Sequence, residues 1–321
     1  MVIATAAASA SSDAAHDQLS GDSEAYRAAR QLLPRGFRTH ETRRFVVLSN
    51  TGRRWTRSRT KLLERTFDEF ERYAGRLDLR PLPLRHKLVC VLFDRREDFA
   101  EFARDHDGVN ESWGLGYYSP AHARTVFFNG ETEPGADEFA ARRSVATAIH
   151  ETIHQLHFEK HVLSVHVQYP LWCIEGLATS FETAAPAAPF GPDFEFQPRR
   201  DRFQRLAQYD RILSLRELVQ LDRMPDQRRE TVHTIYNQSY AVASWLARHR
   251  AKELRRYLRS MLKEPPGRPS PARHLDLFEQ AFGDVDQLES AWLRDERRTL
   301  GPDRETPDRG GETSQGRGNR P

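Results

Sequence analysis

The sequence predicts an α+β fold in which a small mixed sheet is covered by helices and is followed by a mainly helical part. Over the first third of the chain, apolar runs typical of buried strands alternate with amphipathic helical patterns. Two β-rich runs at residues 115–130, separated by the turn sequence Ser-Pro-Ala-His-Ala, predict a β-hairpin. A pair of helices over residues 144–183 then carries a motif rich in histidine and glutamate.

The elements before the hairpin follow from apolar periodicity and from Pro34, which ends the first helix. In chain order they are the helix Glu24–Leu33, the strand Arg44–Ser49, the helix Trp55–Arg76, the strand Lys87–Phe93 and the helix Arg96–Asp105. The hairpin that follows has two interpretations. It offers a sheet edge to an extended peptide beside the helix pair, or it is purely structural.

The elements after the helix pair are a proline-rich loop and several helices. They are the loop Ala184–Arg199, a short helix Arg216–Leu221, a helix or helix pair Thr234–Leu262, and a closing segment Leu275–Leu300. We therefore expect one domain over residues 23–300, with an α/β part at 23–135 and a mainly helical part at 136–300. Residues 1–22 and 301–321 have the composition of disordered tails.

Composition excludes several classes of protein. The mean hydropathy is −0.73 and no apolar run is long enough to cross a bilayer, so we expect no membrane span. The 49 basic and 46 acidic residues nearly balance, and nearly all of the basic residues are arginines mixed with acids along the chain. This pattern indicates a solvated surface and no nucleic-acid partner.

The cellular compartment and the oligomeric state stay open. Cys90 and Cys173 are the only cysteines, and they form neither a disulfide framework nor a Cys-x-x-Cys zinc knuckle. The N-terminus has a short run of small apolar residues with an Ala-x-Ala-like end, but its first lysine or arginine is Arg27. A signal peptide would carry its basic residues earlier, so a disordered tail is favoured and export stays an open alternative.

The chemistry is concentrated in His150-Glu151-x-x-His154, which lies inside a helical pattern. On an α-helix, residues i and i+4 leave the same face, so His150 and His154 can bind one Zn²⁺ together. Glu151 points about a quarter turn away. It therefore suits a general base acting on metal-bound water better than a third ligand.

A catalytic zinc needs a third protein ligand, and Glu175 is the candidate. The apolar spacing of the first helix fades near His161, and Pro170 stands where a second helix would begin. Two antiparallel helices joined in this way would bring Glu175 beside the histidines. His157 and His161 continue the face of the first helix, but such histidines more often pack or meet solvent.

Glu182 has two interpretations. It lies seven residues after Glu175 on the same helix face, so it can orient a metal-binding histidine from behind. It can equally be an ordinary solvated glutamate. Cys173 adjoins Glu175 but should point away from it, and we interpret it as a core residue.

The sequences HETIH and WCIEGLA together resemble the gluzincin clan of zinc metallopeptidases, whose fold is called zincin-like. Its aminopeptidase-N branch has His-Glu-x-x-His, a spacer, and then Trp-x-x-Glu-Gly-x-Ala. Here 20 residues separate His154 from Glu175, slightly more than in that branch. The span Arg43–Leu300 is also similar to a group of uncharacterised bacterial proteins with a peptidase-like gluzincin core.

The resemblance implies that His150, His154 and Glu175 are metal ligands and that Glu151 is the base. It also implies that a tyrosine in a later helix donates a hydrogen bond to the oxyanion that forms from the substrate carbonyl. Tyr236, 61 residues after Glu175, has the matching position and is favoured over His233 and Tyr240. Gln238-Ser239 stands where the aminopeptidases have Lys-Gly, and their Gly-x-Met-Glu-Asn strand has no counterpart in TVFFNGE. The choice between endopeptidase and exopeptidase activity therefore stays open.

These residues predict a zinc-dependent metallopeptidase that binds one Zn²⁺ per chain and acts on a peptide or protein substrate. The alternative is a zinc-binding protein of the same fold that binds peptides or proteins without cleaving them. A third interpretation, a helical scaffold in which the motif is fortuitous, predicts no stoichiometric metal.

Overall fold

A computed structural model of the chain describes residues 19–109, 114–132, 135–226 and 228–298. The predicted tails lie outside these ranges, except for residues 19–22. Within those four residues, Ser20 forms a parallel bridge with His86, and its carbonyl accepts a hydrogen bond from the Lys87 amide. In the described part of the chain, every helix is too short or too polar to span a membrane.

The described residues form one sheet of five strands in the order β1-β2-β3-β5-β4. The strands are β1 (Arg38–Glu41), β2 (Phe45–Ser49), β3 (Leu88–Phe93), β4 (Gly116–Ser119) and β5 (Arg124–Phe128). The three inner strands are parallel, and each edge strand pairs antiparallel with its neighbour. The predicted mixed sheet and hairpin are confirmed, with β4 at one edge. Strand β1 was not predicted, because its sequence RTHE is polar and mostly exposed.

Helices cover both faces of the sheet, which explains why every residue of the three inner strands is buried. Alternate residues of β3 enter two separate cores. Val89 and Val91 pack with the helices α1 and α3, whereas Cys90 and Leu92 pack with α2 and α4. These helices are α1 (Glu24–Leu32), α2 (Arg53–Arg76), α3 (Arg96–Asp107) and α4 (Glu138–Glu159). A short 3₁₀ helix, Gly130–Thr132, precedes α4.

The rest of the described chain is helical, as expected. Its helices are α5 (Leu171–Thr179), α6 (Gln197–Gln208), α7 (Leu215–Gln220), α8 (Arg229–His249), α9 (Ala251–Met261), α10 (Pro271–Phe282) and α11 (Val285–Arg298). The segment predicted as a helix or a helix pair is a pair that breaks at Arg250. Several boundaries differ from the prediction, and two of these differences bear on the site. Helix α6 begins inside the predicted loop, and α8 begins five residues before Thr234, so Tyr236 lies well inside α8 and not at its start.

Helices α5 and α8 approach each other closely at Gly176. A Cβ atom at this position would lie 2.5 Å from the Ser239 carbonyl oxygen and 2.9 Å from Ala243 Cβ. Only glycine fits between two backbones at that separation. The contact brings Glu175, the residue before Gly176, into the region of Tyr236, which lies one turn before Ser239.

Candidate functional site

Three predicted ligand atoms converge between α4 and α5. His150 Nε2 lies 3.0 Å from His154 Nε2 and 3.1 Å from Glu175 Oε2, and His154 Nε2 lies 3.6 Å from the same oxygen. Both histidines are buried, and the Glu175 side chain is 16% exposed. The helix pair therefore brings together His150, His154 and Glu175, which are distant in sequence, as a group that could hold a metal ion.

The spacing of these three atoms suits a tetrahedral zinc ion. Ligand atoms about 2.0–2.1 Å from zinc stand about 3.3 Å apart along a tetrahedral edge. The three observed separations, 3.0, 3.1 and 3.6 Å, bracket that length. Two imidazole nitrogens and one carboxylate oxygen are also a donor set that zinc commonly takes in catalytic sites. The residues present therefore fit a bound zinc ion.

The far side of His150 is held by Glu182. His150 Nδ1 lies 3.2 Å from Glu182 Oε1. An ionised carboxylate can only accept hydrogen bonds, so the His150 Nδ1–H group is the donor to Glu182. The other ring nitrogen, Nε2, is then directed toward His154 and Glu175. Of the two interpretations of Glu182, the structure supports the one in which it orients a histidine.

Arg199 fixes Glu182 in turn. Its Nε and Nη2 atoms donate to the two carboxylate oxygens at 2.9 and 2.8 Å, and Nη1 donates to Asn237 Oδ1 at 3.3 Å. Burial raises the pKa of Glu182, but Arg199 and His150 outweigh burial and lower this pKa to about 2. Glu182 is therefore ionised at neutral pH and remains an acceptor for His150.

The electrostatics of the cluster favour a cation at its centre. Burial lowers the pKa of His150, but its hydrogen bonds to Glu175 and Glu182 outweigh burial and raise that pKa to about 10. Burial raises the pKa of Glu175, yet His154 and His150 reverse this effect and lower it below its usual range. The carboxylates that attract a proton to His150 would equally attract a metal ion.

Glu151 is held by the edge strand of the sheet. Its Oε2 accepts a hydrogen bond of 3.0 Å from the backbone amide of Tyr118 in β4. Burial raises the pKa of Glu151, the two neighbouring histidines lower it, and Glu175 raises it, with a net upward shift. A carboxylate with a raised pKa is a stronger base than an exposed one, which suits an acceptor of protons.

Tyr236 also lies at the cluster. Its ring stacks on that of His150, with the centroids 6.1 Å apart and the planes inclined by 18°. The Arg199 guanidinium carbon lies 5.9 Å from the Tyr236 ring centroid. The two other residues considered as donors to the oxyanion have different surroundings. His233 is exposed, whereas Tyr240 is buried and its hydroxyl accepts a hydrogen bond of 2.8 Å from the Phe196 amide.

The remaining polar residues near the motif have packing or surface positions. His157 is buried edge-on against Phe70, with ring centroids 5.3 Å apart, and His161 is exposed at the turn after α4. Cys90 and Cys173 are both buried free thiols. The role of Arg199 was not predicted, because this residue lies at the end of the predicted loop and is one of many arginines in the chain.

Residues 144–267 match the model of a protein family described as a protein of unknown function (DUF1570). The match covers less than half of the chain, but it contains the whole cluster together with Glu182, Arg199 and Tyr236. The expectation of similarity to a family of unknown function is confirmed to that extent. No protein with a curated description matches the chain.

Proposed function

We propose that the protein is a zinc-dependent metallopeptidase of the gluzincin type with a zincin-like core. One observation carries the proposal: three ligand atoms converge at tetrahedral spacing, next to a glutamate whose carboxylate is held by an edge strand. In this arrangement His150, His154 and Glu175 hold one Zn²⁺ per chain. When bound, the metal supplies Lewis acidity to a water molecule and to a peptide carbonyl.

The chain's own residues supply the proton transfer and the orientation. Tyr118 N–H fixes Glu151 Oε2, so Oε1 is the oxygen that we expect to take a proton from water and later give it to the leaving amine. The Tyr236 hydroxyl donates to the carbonyl oxygen as negative charge develops there. Arg199 and Glu182 keep His150 in the tautomer whose Nε2 faces the cluster.

The edge strand gives the substrate a place to bind. In an antiparallel pair, alternate residues direct their backbone groups toward the partner strand. The Tyr118 amide faces away from β5, since it donates to Glu151, and Gly116 two residues earlier faces the same way. The Tyr118 amide is engaged with Glu151, but an extended peptide can pair with the Tyr118 carbonyl and with the backbone groups of Gly116 beside α4. This supports the interpretation of the hairpin as a substrate-binding edge.

Metal analysis and peptide digestion of the purified full chain test the proposal together. We expect about one zinc per chain. We also expect cleavage of a mixed peptide library that stops on treatment with a chelator and returns when zinc is added back. A protein that binds zinc stoichiometrically but leaves the library intact would be the non-catalytic alternative. A chain without stoichiometric metal would refute both functions.

Glu182→Gln is expected to weaken zinc binding without removing it, since glutamine can still accept from His150 Nδ1 but leaves Arg199 without its charged partner. Loss of such an orienting carboxylate costs about 10–100-fold in metal affinity. Titration against a competing zinc chelator measures the effect. Glu296→Gln is the matched control, because Glu296 has the same 8% exposure and pairs with Arg200. An equal loss of affinity in both variants would mean that Glu182 acts through general stability.

A further inference from the structure

Three exposed arginines beside the cluster form no ion pair with any described residue. They are Arg143 on α4, Arg202 on α6 and Arg229 on α8. Three acidic residues on or near these helices are already paired with other arginines. Glu138 pairs with Arg142, Glu182 with Arg199, and Glu230 with Arg211. Positive charge is therefore locally in excess in a chain whose total charge nearly balances.

The three arginines lie on helices that each contribute to the cluster. Arg143 precedes His150 by seven residues, and Arg229 precedes Tyr236 by seven, so each lies on the same helix face about two turns, or about 10.5 Å, away. Arg202 follows Arg199 by three residues, which places it on the same face of α6.

Contacts at the cluster join the three helices: the Tyr236 ring of α8 stacks on His150 of α4, and the Arg199 guanidinium of α6 lies over the Tyr236 ring. Partial burial of its ring lowers the pKa of His233, and the charges of Arg229, Arg202, Arg199 and Arg143 lower this pKa further. His233 itself lies between Arg229 and Tyr236 on one face of α8. We call Arg143, Arg202, Arg229 and His233 the basic rim. Three helices thus contribute positive charge to one region beside the cluster.

On the basis of the peptidase function proposed above, we propose that the basic rim binds acidic side chains of an extended polypeptide substrate. A strand rises about 3.3 Å per residue, so a distance of about 10.5 Å corresponds to about three residues. The aspartates or glutamates of the substrate therefore lie about two to four residues from the cleaved bond. The rim holds three arginines, fewer than the roughly 6–10 phosphate contacts that a nucleic-acid-binding protein commonly makes.

Matched peptides test this preference directly. We would compare amidated peptides that share one cleavage sequence and carry either Glu or Gln at the positions two to four residues from the bond, on either side. We expect kcat/KM to be at least about tenfold higher for the Glu peptide on one side of the bond at low ionic strength. The difference should shrink as salt is added, because the Debye length falls to about 8 Å at 0.15 M.

Variants of the basic rim test whether its arginines cause the preference for acidic peptides. In Arg143→Gln/Arg202→Gln we expect the ratio of kcat/KM for the Glu and Gln peptides to fall about fivefold or more, since the variant removes two of the exposed charges that attract the acidic side chains. Arg30→Gln/Arg35→Gln removes the same charge from exposed positions in and after α1, on the opposite face of the sheet, and should keep the wild-type ratio. An unchanged ratio in the rim variant, or an equal fall in the control, would overturn the proposal.

The outcome separates this inference from the proposed function. Cleavage of both peptides at equal rates would leave the peptidase intact and refute the acidic preference. If no peptide is cleaved, the peptidase proposal fails. Fluorescence anisotropy of the labelled Glu and Gln peptides then tests the rim alone, with tighter binding of the Glu peptide and its loss in the rim variant as the supporting result. A single-stranded oligonucleotide that displaced the Glu peptide at equal concentration would overturn the assignment to acidic polypeptides.

Discussion

Glu151→Gln is expected to keep its zinc and to lose turnover. Glutamine has the shape of glutamate and can still accept the Tyr118 amide hydrogen bond through its carbonyl oxygen. Its other terminal group is an amide, which cannot take a proton from water at neutral pH. General-base catalysis contributes about 10²–10⁴-fold, so we expect kcat/KM to fall by about 10²–10⁴-fold while metal content stays near one per chain.

Variants of the predicted metal ligands serve as the comparison for Glu151→Gln. His150→Ala and Glu175→Ala should lose zinc and activity together, since each removes one of three atoms that bracket the metal position. Metal analysis after dialysis, followed by peptide hydrolysis, distinguishes the two patterns. Loss of zinc in Glu151→Gln would make this carboxylate a ligand. Full retention in both alanine variants would remove the cluster from consideration as a metal site.

The sheet and helices were predictable where burial imposes a period on the sequence. Strands β2 and β3 are covered on both faces, so their apolar runs were recognised within one residue of their observed bounds. Strand β1 lies at an edge and has no such run. The first residues of α6 are interrupted by Pro198 and have no apolar periodicity, and only Phe203 is buried on that helix. Its existence depends on packing against α8, which the local sequence does not encode.

The three-residue cluster could be predicted because helix geometry fixes the spacing of its histidines. His150 and His154 share a face whatever surrounds them, and the turn before Pro170 returns the chain so that Glu175 faces them. The residues that act at a greater distance were harder to predict. Arg199 reaches Glu182 only because α6 crosses the site, and the Tyr118 amide reaches Glu151 only because β4 ends the sheet beside α4. Long-range placement of this kind has no signature in a single sequence.

Tyr236→Phe is expected to slow the chemical step and to leave the metal site intact. Phenylalanine keeps the ring that stacks on His150, so neither zinc content nor KM should change much. The lost hydroxyl is the donor that we expect to bind the carbonyl oxygen more strongly as it gains charge. Removing a donor of this kind costs about 10²–10³-fold in kcat, so kcat and kcat/KM should fall together by about 10²-fold or more.

Tyr240→Phe, one helical turn further along α8, is the control. Its hydroxyl accepts from the Phe196 amide at 2.8 Å, and Tyr240 is only 2% exposed. Its removal leaves a part-buried amide without that partner, so we expect a loss of about 1–3 kcal/mol in the free energy of unfolding and little change in kcat. Steady-state kinetics and denaturant unfolding of both variants give the comparison. If Tyr240 instead controls the rate and Tyr236 is silent, the zinc cluster would stand, but the oxyanion donor inferred from the aminopeptidase resemblance would be wrong.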